Sequence, residues 1–590
     1  MGIKFFYNSW FKKKFHRDIF PLVTGQTFED FRSHPDTKEE ECIYDPEIDN
    51  LMIDMNGLFH NSAQKIYEYG NYKPRQRFLS KQKENKSNSL QKQIAVFKDI
   101  CENVQRVLTV VKPRKRLVLC VDGNAPQAKQ QQQRMRRFVS ALTRKEDDDS
   151  FDSNCISPGT KFMDHLCKYI DWYIRKKLSE EDPLWKNLEV VYSNASAPQE
   201  GEHKLLNFIR KFGNSSESFC LHGMDADLIM LALGTHLPKF WILREDPMDY
   251  NYAFYAINVG KIHDEIGECL KWEGKTFNFN RAIDDFIFMC FSVGNDFLPH
   301  IPCIEIIERG IEIMIGIYKK VGAGYGHLTM KTPGDVPQAK FRRRAVSVFL
   351  GTMAQYEKEV LENKMKHKES FFRDIILERN CKREEDTKKE YRLDIEAYRQ
   401  DYYNTNLPEV KDEEKLCHEY LEGMNWVLNY YTIGVSNWNW KFTHHYAPFA
   451  HTLAKHAKSF SFPDYPTTVP NVPFVQLLSI LPPKSANLLP SPLDTLLASE
   501  QSPLASFCPR DFPLDLAGKR QEWEAVVLLP IVDSQKIEKE YYKLIRKVDE
   551  VDRKRNVLGK SFIYYKVKKY TFNSFYGDFV CRVSAKAIDL

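Results

Sequence analysis

The chain has 590 residues, more than one ordinary hydrophobic core holds, so two domains or one large domain with an elaborate second lobe are expected. Its 85 lysines and arginines stand against 80 aspartates and glutamates, a net charge of +5 that excludes a polycationic nucleic-acid binder and confines any such surface to a local patch. The 13 cysteines form no C-x-x-C pair and no zinc-type Cys/His spacing, no apolar run approaches the ~18 residues of a membrane span, and the start MGIKFF lacks signal-peptide character, so a reduced, zinc-free, soluble protein is expected, cytoplasmic with the nucleus as the other compartment.

The opening, MGIKFFYNSWFKKKF, reads as an amphipathic helix with Phe5, Phe6 and Trp10 inward. Leu51 to Ile53 is a short buried strand ending in an acid, Asp54, followed by Asn56, Gly57 and a helical pattern carrying His60. Residues 73–92 are polar and read as a surface loop; 96–111 read as a helix ending before Pro113. Leu117 to Val121 is a second buried strand, again closed by an acid, Asp122, and a glycine turn that leads into a basic helix. After an acid-rich break at 144–150, Ser157 and Pro158 read as a helix start, with the helix continuing over 163–178.

A third unit follows in Leu188 to Tyr192, after which Glu200, Gly201, Glu202 and His203 open a helix through Phe212. A fourth runs from Phe219 to Leu221 into Asp225, Asp227 and an apolar helix, and Phe240 to Leu243 is one more strand. An apolar helix from Ile283 to Val293 leads to Asp296. Buried strands alternating with helices predict an α/β fold with a mainly parallel central sheet flanked by helices. The division expected is 1–355 as the catalytic region, 356–412 as a charged, solvent-exposed helical connector, and 413–590 as an aromatic, proline-rich second region of mixed structure packed on the first. No internal repeat is evident.

Loops at the carboxyl ends of parallel strands form the ligand crevice, so Asp54, Asp122, Glu200, Glu202, Asp225 and Asp227 should converge there, with Asp296 added from the later helix end. Seven carboxylates in one small volume do not all stay ionised without cations. All-oxygen ligands suit Mg²⁺, with Mn²⁺ as the substitute, and two such ions about 4 Å apart activate a water and stabilise the leaving oxygen in phosphodiester cleavage. Each acid taken singly reads better as a helix N-cap; their repetition at equivalent strand ends is what favours the metal reading.

On the basic helix, Lys129, Gln133, Arg136 and Arg137 fall at i, i+4, i+7 and i+8, one face with an amide and three cations, suited to a phosphate. The alternative is a solvated helix beside a low-complexity glutamine run. A phosphate receptor just beyond a catalytic acid fits a nuclease that recognises a chain end.

The segments LMIDMNGLFH, VDGNAPQAKQQQQRMRRF, FDSNCISPGTKFM, PQEGEHK, GMDADLIMLALGTH and SVGNDFLPHIP resemble, in order, the catalytic motifs of the XRN family of 5′-to-3′ exoribonucleases, and SNWNW, HYAPF and LSILPP resemble its second conserved region. GMDAD alone also fits the related flap-endonuclease group. The resemblance implies a PIN/FEN-like nuclease core, the seven carboxylates as metal ligands and catalytic residues, and Lys129, Gln133, Arg136 and Arg137 as a pocket for a 5′-monophosphate. It also implies base stacking by His60 and by Trp438 or Trp440. The expected activity is processive 5′-to-3′ hydrolysis of single-stranded RNA bearing a 5′-monophosphate, releasing nucleoside 5′-monophosphates, by a monomer working with decapping or RNA-decay factors. Lys4 stands where the family has proline, and the chain reads as a compact, cytoplasmic-type or viral-like member. The rival readings are a flap-type, structure-specific DNA nuclease, expected to carry a helix-hairpin-helix DNA clamp of which no convincing Gly-x-Gly hairpin is found after Asp296, and a catalytically inactive RNA-binding scaffold.

Overall fold

The computed structural model describes the chain except for residues 1–4, 24, 29–46, 71–88, 143–150, 246–252, 275, 303, 307–308, 333–337, 368–371 and 384–390. The break expected at 144–150 and most of the polar loop expected at 73–92 lie outside the described residues.

Seven strands of the first half, β1 (Ile19–Leu22), β2 (Asn50–Asp54), β3 (Arg116–Cys120), β4 (Glu189–Ser193), β5 (Phe219–His222), β6 (Phe240–Arg244) and β7 (Phe254–Asn258), lie in one sheet. Three short hairpins follow: Thr329–Thr332 with Gln338–Phe341 (β8, β9), Cys381–Arg383 with Tyr391–Leu393 (β10, β11), and Leu514–Asp515 with Val526–Val527 (β12, β13). The C-terminal strands β14 (Ser561–Phe572) and β15 (Phe579–Ile588) return to the large sheet, whose order is β1-β7-β6-β5-β2-β3-β4-β14-β15. The pairs β2–β3, β3–β4, β2–β5 and β5–β6 are parallel, while the edges are antiparallel.

The chain runs outward from β2 through β3 to β4, then crosses back to place β5 on the other side of β2. The gap between β2 and β5 is thus the point where strand order reverses, the place where open parallel sheets bind ligands. Register puts the strand ends level: Asp54 pairs with Cys120 and Cys120 with Ser193, while His222 is opposite Ile53.

After the short α1 (Lys12–Lys14), the helices of the nuclease half are α2 (Met55–Tyr67), α3 (Ser89–Val111), α4 (Gln127–Leu142), α5 (Lys161–Ser179), α6 (Gly201–Phe212), α7 (Asp227–Leu233), α8 (Val259–Leu270) and α9 (Phe279–Cys290). Then come α10 (Gly310–Tyr325), α11 (Arg343–Ala354), α12 (Glu357–His367), α13 (Ile375–Asn380), α14 (Ile395–Asn406), α15 (Glu413–Thr432), α16 (Ala450–Ala457) and α17 (Pro473–Ile480). No described helix is long and apolar enough to cross a membrane.

Strand side chains alternate between the two faces. Leu51, Ile53, Leu117 and Leu119 join the core beneath α2, α3 and α5, whereas Met52, Val118 and Leu221 join a larger core that continues through α15 and α16. The connector expected to be solvent-exposed at 356–412 is not so throughout: Leu361, Leu377 and Leu393 are in that larger core, and Tyr398 and Tyr402 of α14 enter it too, packing on Phe449 with ring centroids 6.0 and 4.9 Å away.

Two local expectations are corrected. The helix expected from Ser157 begins at Lys161, capped by the hydroxyl of Thr160, which accepts from the Met163 amide at 3.3 Å. Ser157 does not cap, because its hydroxyl donates to the Asn154 carbonyl at 2.7 Å. The opening segment is a π-helix over Phe6–Phe11 followed by α1; Phe6 and Trp10 are buried and Phe5 only partly so.

Candidate active site

Three strand ends deliver the first acids. Asp54 closes β2 and caps α2, accepting from the Asn56 amide at 3.3 Å. Asp122 lies two residues past β3; its Oδ1 accepts from the Gly201 amide at 2.7 Å and its Oδ2 from Asn56 Nδ2 at 2.7 Å. Asp225 and Asp227 follow β5, and Asp227 starts α7. Glu200 occupies the N-cap position of α6 and Glu202 its first turn. Asp296 comes from the turn after α9, where Asn295 Oδ1 accepts from the Phe297 and Leu298 amides at 2.8 and 2.9 Å.

Close approach of these turns requires glycine. A Cβ on Gly201 would lie 2.6 Å from Asp54 Oδ1 and 3.4 Å from Asp122 Oδ1. The preceding Gln199 holds φ at +84°, a left-handed conformation that a non-glycine residue adopts only under strain, next to the acid it aims.

The oxygens of Asp54, Asp122 and Glu202 lie within 4.8 Å of one another, and Glu200, Glu202 and His203 form a second group of the same tightness. Burial, with Asp122 and Asp225 alongside, lifts the Asp54 carboxyl well above its ordinary value, and burial beside Glu200 and Asp54 does the same to Glu202. Burial raises Glu200 to about 7 and, with Asp225 and Asp296 near, Asp227 to about 6. Desolvation works against Asp225 as well, but surrounding positive charge, Lys129 and Arg136 included, holds it at about 2. For Asp296 burial is likewise outweighed, chiefly by Lys129, and its carboxyl sits below the usual range.

Lys129 is the cation at the centre of this arrangement. Its ammonium lies 2.7 Å from Glu200 Oε1 and 2.9 Å from Asp296 Oδ2, with 9% of its side chain exposed. The donor set is hard oxygen, burial and then mutual repulsion push Asp54, Glu200, Glu202 and Asp227 toward their protonated forms, and Asp227 Oδ1 is buried with no hydrogen-bond partner among the described residues. These residues fit a divalent cation, which would replace the protons that the crowded carboxylates otherwise retain.

Helix α4 carries the expected phosphate face outward from that centre. Arg136 is exposed, Arg137 donates to the Asn154 carbonyl at 3.3 Å, and Gln133 Oε1 is buried without a partner among the described residues. Burial and then these two guanidiniums push His60, on α2, down to about 4, so its ring is neutral at pH 7 and stands beside them. Burial and the neighbouring Arg136 lower Arg137 to about 10. Lys129 thus sits at the acidic end of the face and Arg136 and Arg137 at the His60 end. The other arginine, Arg134, faces away and donates to the Ser479 carbonyl at 3.3 Å and to that of Phe507.

The glutamine run has specific work. Gln130 donates to the Ala125 carbonyl at 2.8 Å and Gln131 to that of Phe442 at 3.0 Å, fixing α4 between the two halves of the chain.

The second region reaches into the centre. The Tyr430 hydroxyl, on α15, donates to Glu200 Oε2, and His203 packs on the Tyr430 ring at a centroid distance of 3.7 Å. The Gln127 amide donates to the Trp438 carbonyl at 2.8 Å, and the Ala125 amide to Gln476 Oε1 at 2.8 Å. Trp440 is buried and stacks on Trp426 at 4.8 Å. Trp438 is half-buried, and its ring has no aromatic partner among the described residues.

The seven acids named from the sequence lie near enough to shift one another's ionisation, while Asn56, His203, Lys204 and Tyr430 were given no role there. Lys204 is buried, its ammonium donating to the Val121 and Asn194 carbonyls at 2.6 and 2.9 Å, which ties the ends of β3 and β4 together. His203 could have been found, since it lies one helical turn past Glu200.

Two family models match the chain. The one described as XRN 5′-3′ exonuclease N-terminus covers residues 1–246, and the one described as Xrn1 helical domain covers 276–390 and 373–589. The chain is 29% identical to the 5′-3′ exoribonuclease 2 homolog of Drosophila melanogaster, over 96% of this chain and 73% of the relative. Identity is 30% to the 5′-3′ exoribonuclease 2 of Gallus gallus, over 96% and 72%, and 30% to the 5′-3′ exoribonuclease 1 of Homo sapiens, over 87% of this chain and 33% of that longer protein.

Proposed function

Because the chain belongs to the XRN family of 5′-3′ exonucleases, we propose that it is a processive 5′-to-3′ exoribonuclease that degrades single-stranded RNA bearing a 5′-monophosphate and releases nucleoside 5′-monophosphates. The observation that carries the reading is the layout of α4. One rigid helix places Lys129 among the carboxylates and Arg136 and Arg137 seven and eight residues further on, about 10–12 Å along the axis. A substrate end held by the arginines therefore meets the acids at a fixed distance inward, which favours cutting next to the end.

Asp54, Asp122, Glu200, Glu202, Asp225, Asp227 and Asp296 would hold two Mg²⁺ ions, or Mn²⁺ in their place. Bound there, the ions supply an activated water and charge compensation for the leaving oxygen. The chain's own contribution is positioning. Asn56 and the Gly201 amide orient Asp122, Tyr430 and Lys129 orient Glu200, and Lys129 keeps Asp296 ionised. Lys129, Gln133, Arg136 and Arg137 would grip the terminal phosphate, Lys129 from its place among the carboxylates, and neutral His60 beside the arginines would offer a ring face to the first base. The second region, which bonds to α4, to the Ala125 amide just before it and to Glu200, would wall off the site so that a duplex could not enter without unwinding.

In this proposal residues 1–355 carry the chemistry, 356–412 connect, and 413–590 complete the pocket. A monomer acting in the cytoplasm on ends prepared by decapping and decay factors is part of the same proposal.

The test is decay of 3′-labelled single-stranded RNA with a 5′-monophosphate, 5′-hydroxyl or 5′-triphosphate, in Mg²⁺, by wild type and Asp225→Ala. Loss of the monophosphate species alone, with mononucleotide product and an inactive variant, is expected. Equal decay of all three ends would replace end recognition with endonucleolytic cutting, and no decay would favour a scaffold.

A further inference from the structure

Away from the carboxylate centre, α15 and α16 bring together two imidazoles and a carboxylate. The ligand atoms of Glu414, His418 and His456 all lie within 4.8 Å of one another. Glu414 and His418 are one turn apart on α15, and His456 comes from the last turn of α16, so two rigid elements supply the three groups. Glu414 Oε1 is 3.8 Å from His418 Nε2 and 3.8 Å from His456 Nδ1. Those separations are too long for hydrogen bonds. They are slightly wider than the roughly 3.3–3.4 Å edge of a tetrahedron with metal–nitrogen bonds of about 2.0–2.1 Å.

Three further observations point to a ligand. His418 Nε2 is itself covered, although 35% of the side chain is exposed, and it has no hydrogen-bond partner among the described residues, a state in which covered polar atoms are rarely left. The two imidazole planes stand 86° apart at a centroid distance of 6.1 Å, and Phe460, 5.8 Å from the His418 ring, packs against that ring. Finally, a surface cavity of about 380 Å³, lined in part by Glu414, His418, Glu419 and Glu422, opens beside them and gives access from solvent. Glu414 is 58% exposed and has room to swing inward by the few tenths of an ångström that coordination needs.

We propose that Glu414, His418 and His456 form a binding site for a divalent transition ion of the zinc class, distinct from the carboxylate centre. Two neutral imidazoles and one carboxylate suit Zn²⁺ and reject Mg²⁺, which demands oxygen donors. The fourth position faces the cavity and takes water. An ion here clamps α15 to α16. Tyr430 lies 12 residues beyond His418 on the same helix, about 18 Å away, so the clamp fixes the helix that presents Tyr430 to Glu200 without touching the reaction. The absence of zinc-type cysteine spacing does not bear on this site, since it uses no cysteine.

The experiment is equilibrium dialysis of the full chain against micromolar Zn²⁺ in millimolar Mg²⁺, with bound metal counted by atomic emission. The double variant His418→Ala, His456→Ala is expected to retain one zinc per chain fewer than wild type and to lose the zinc-dependent rise in melting temperature, while Mg²⁺-dependent RNA hydrolysis in zinc-free buffer stays at the wild-type level. Glu414→Gln, a change on an exposed side chain, should weaken zinc binding by an order of magnitude or more without disturbing packing. Substituted with Co²⁺, wild type should show visible d–d bands that both variants lack. Equal zinc content in wild type and both variants, or no zinc retained by wild type, overturns the proposal.

Discussion

Asn56 and Asp122 hold each other from both sides: Asn56 Nδ2 donates to Asp122 Oδ2 at 2.7 Å, and the Asp122 amide donates to Asn56 Oδ1 at 3.0 Å. The pair joins the turn after β2 to the turn after β3, two neighbouring strand ends whose acids must keep a spacing that a cation can bridge. Asn56→Ala removes both bonds. An unmet buried polar group costs about 1–3 kcal/mol, and loss of a group that orients a ligand costs about 10–100-fold in metal affinity or activity. The Mg²⁺ concentration for half-maximal RNA hydrolysis should rise by about that factor, with KM for RNA little changed at saturating metal. An unchanged Mg²⁺ midpoint would remove Asn56 from the site.

The raised carboxyls make a prediction with a definite sign. Burial places Glu200 at about 7 and Asp227 at about 6, both above their ordinary values near 4. The folded chain therefore keeps protons that the unfolded chain has already released. That contribution to stability is complete below about pH 4 and is lost as pH rises through 6 to 7. In EDTA the melting temperature should fall across this window, and millimolar Mg²⁺ should flatten the fall by taking the place of the protons. Tyr430→Phe deletes a hydrogen bond that favours ionised Glu200, so its window should end at higher pH. A melting temperature in EDTA that is flat between pH 5 and 8 would contradict the assignment.

The parallel core of the sheet was legible because each of its strands is a short apolar run stopped by a polar turn, and four of those turns carry the acids. The edges were not. Strand β14 pairs with β4 only at Phe562 and Ile563, opposite Tyr192 and Val191, a contact set by tertiary packing with no local signal. Tyr430 is 230 residues from Glu200 and sits in a tyrosine-rich helix where any of several rings could have been the donor. Asn56 was visible within its motif, but an asparagine before a glycine reads as turn chemistry, and its partner, Asp122, lies in the turn after the neighbouring strand β3. The helix start read at Ser157 was misplaced because the Ser157 hydroxyl is engaged with Asn154, and the hydroxyl of Thr160, which the sequence reading did not single out, makes the cap.

End selectivity should depend on Arg136. A hydrogen bond to a charged group is worth about 1.5–3 kcal/mol, so Arg136→Ala is expected to lower kcat/KM about 10- to 100-fold for RNA with a 5′-monophosphate. The small residual rate on 5′-hydroxyl RNA should stay the same, because that end offers no phosphate to lose. Competition between the two RNAs in one reaction reads the ratio directly. A proportional loss on both would mean that Arg136 contacts the RNA elsewhere or supports the fold.

The two tryptophans of SNWNW should separate cleanly. Trp440 is buried in a ladder of rings: it stacks on Trp426 at 4.8 Å, and Trp426 stacks on Tyr430 at 4.9 Å. Trp440→Ala should therefore cost about 3–5 kcal/mol of stability, measured by urea denaturation, and loosen the helix that serves Glu200. Trp438 is held through its backbone, its amide donating to Thr468 Oγ1 at 2.8 Å and its carbonyl accepting from Gln127, while its ring is half-exposed. Trp438→Ala keeps those backbone bonds and should change stability by no more than about 0.5 kcal/mol. If the ring stacks on a base, the same change should weaken RNA binding by about 1–3 kcal/mol and shorten processive runs on long substrates. Should Trp438→Ala instead lower stability as far as Trp440→Ala while leaving KM and run length intact, its ring is part of the packing, and His60 is left as the one stacking candidate.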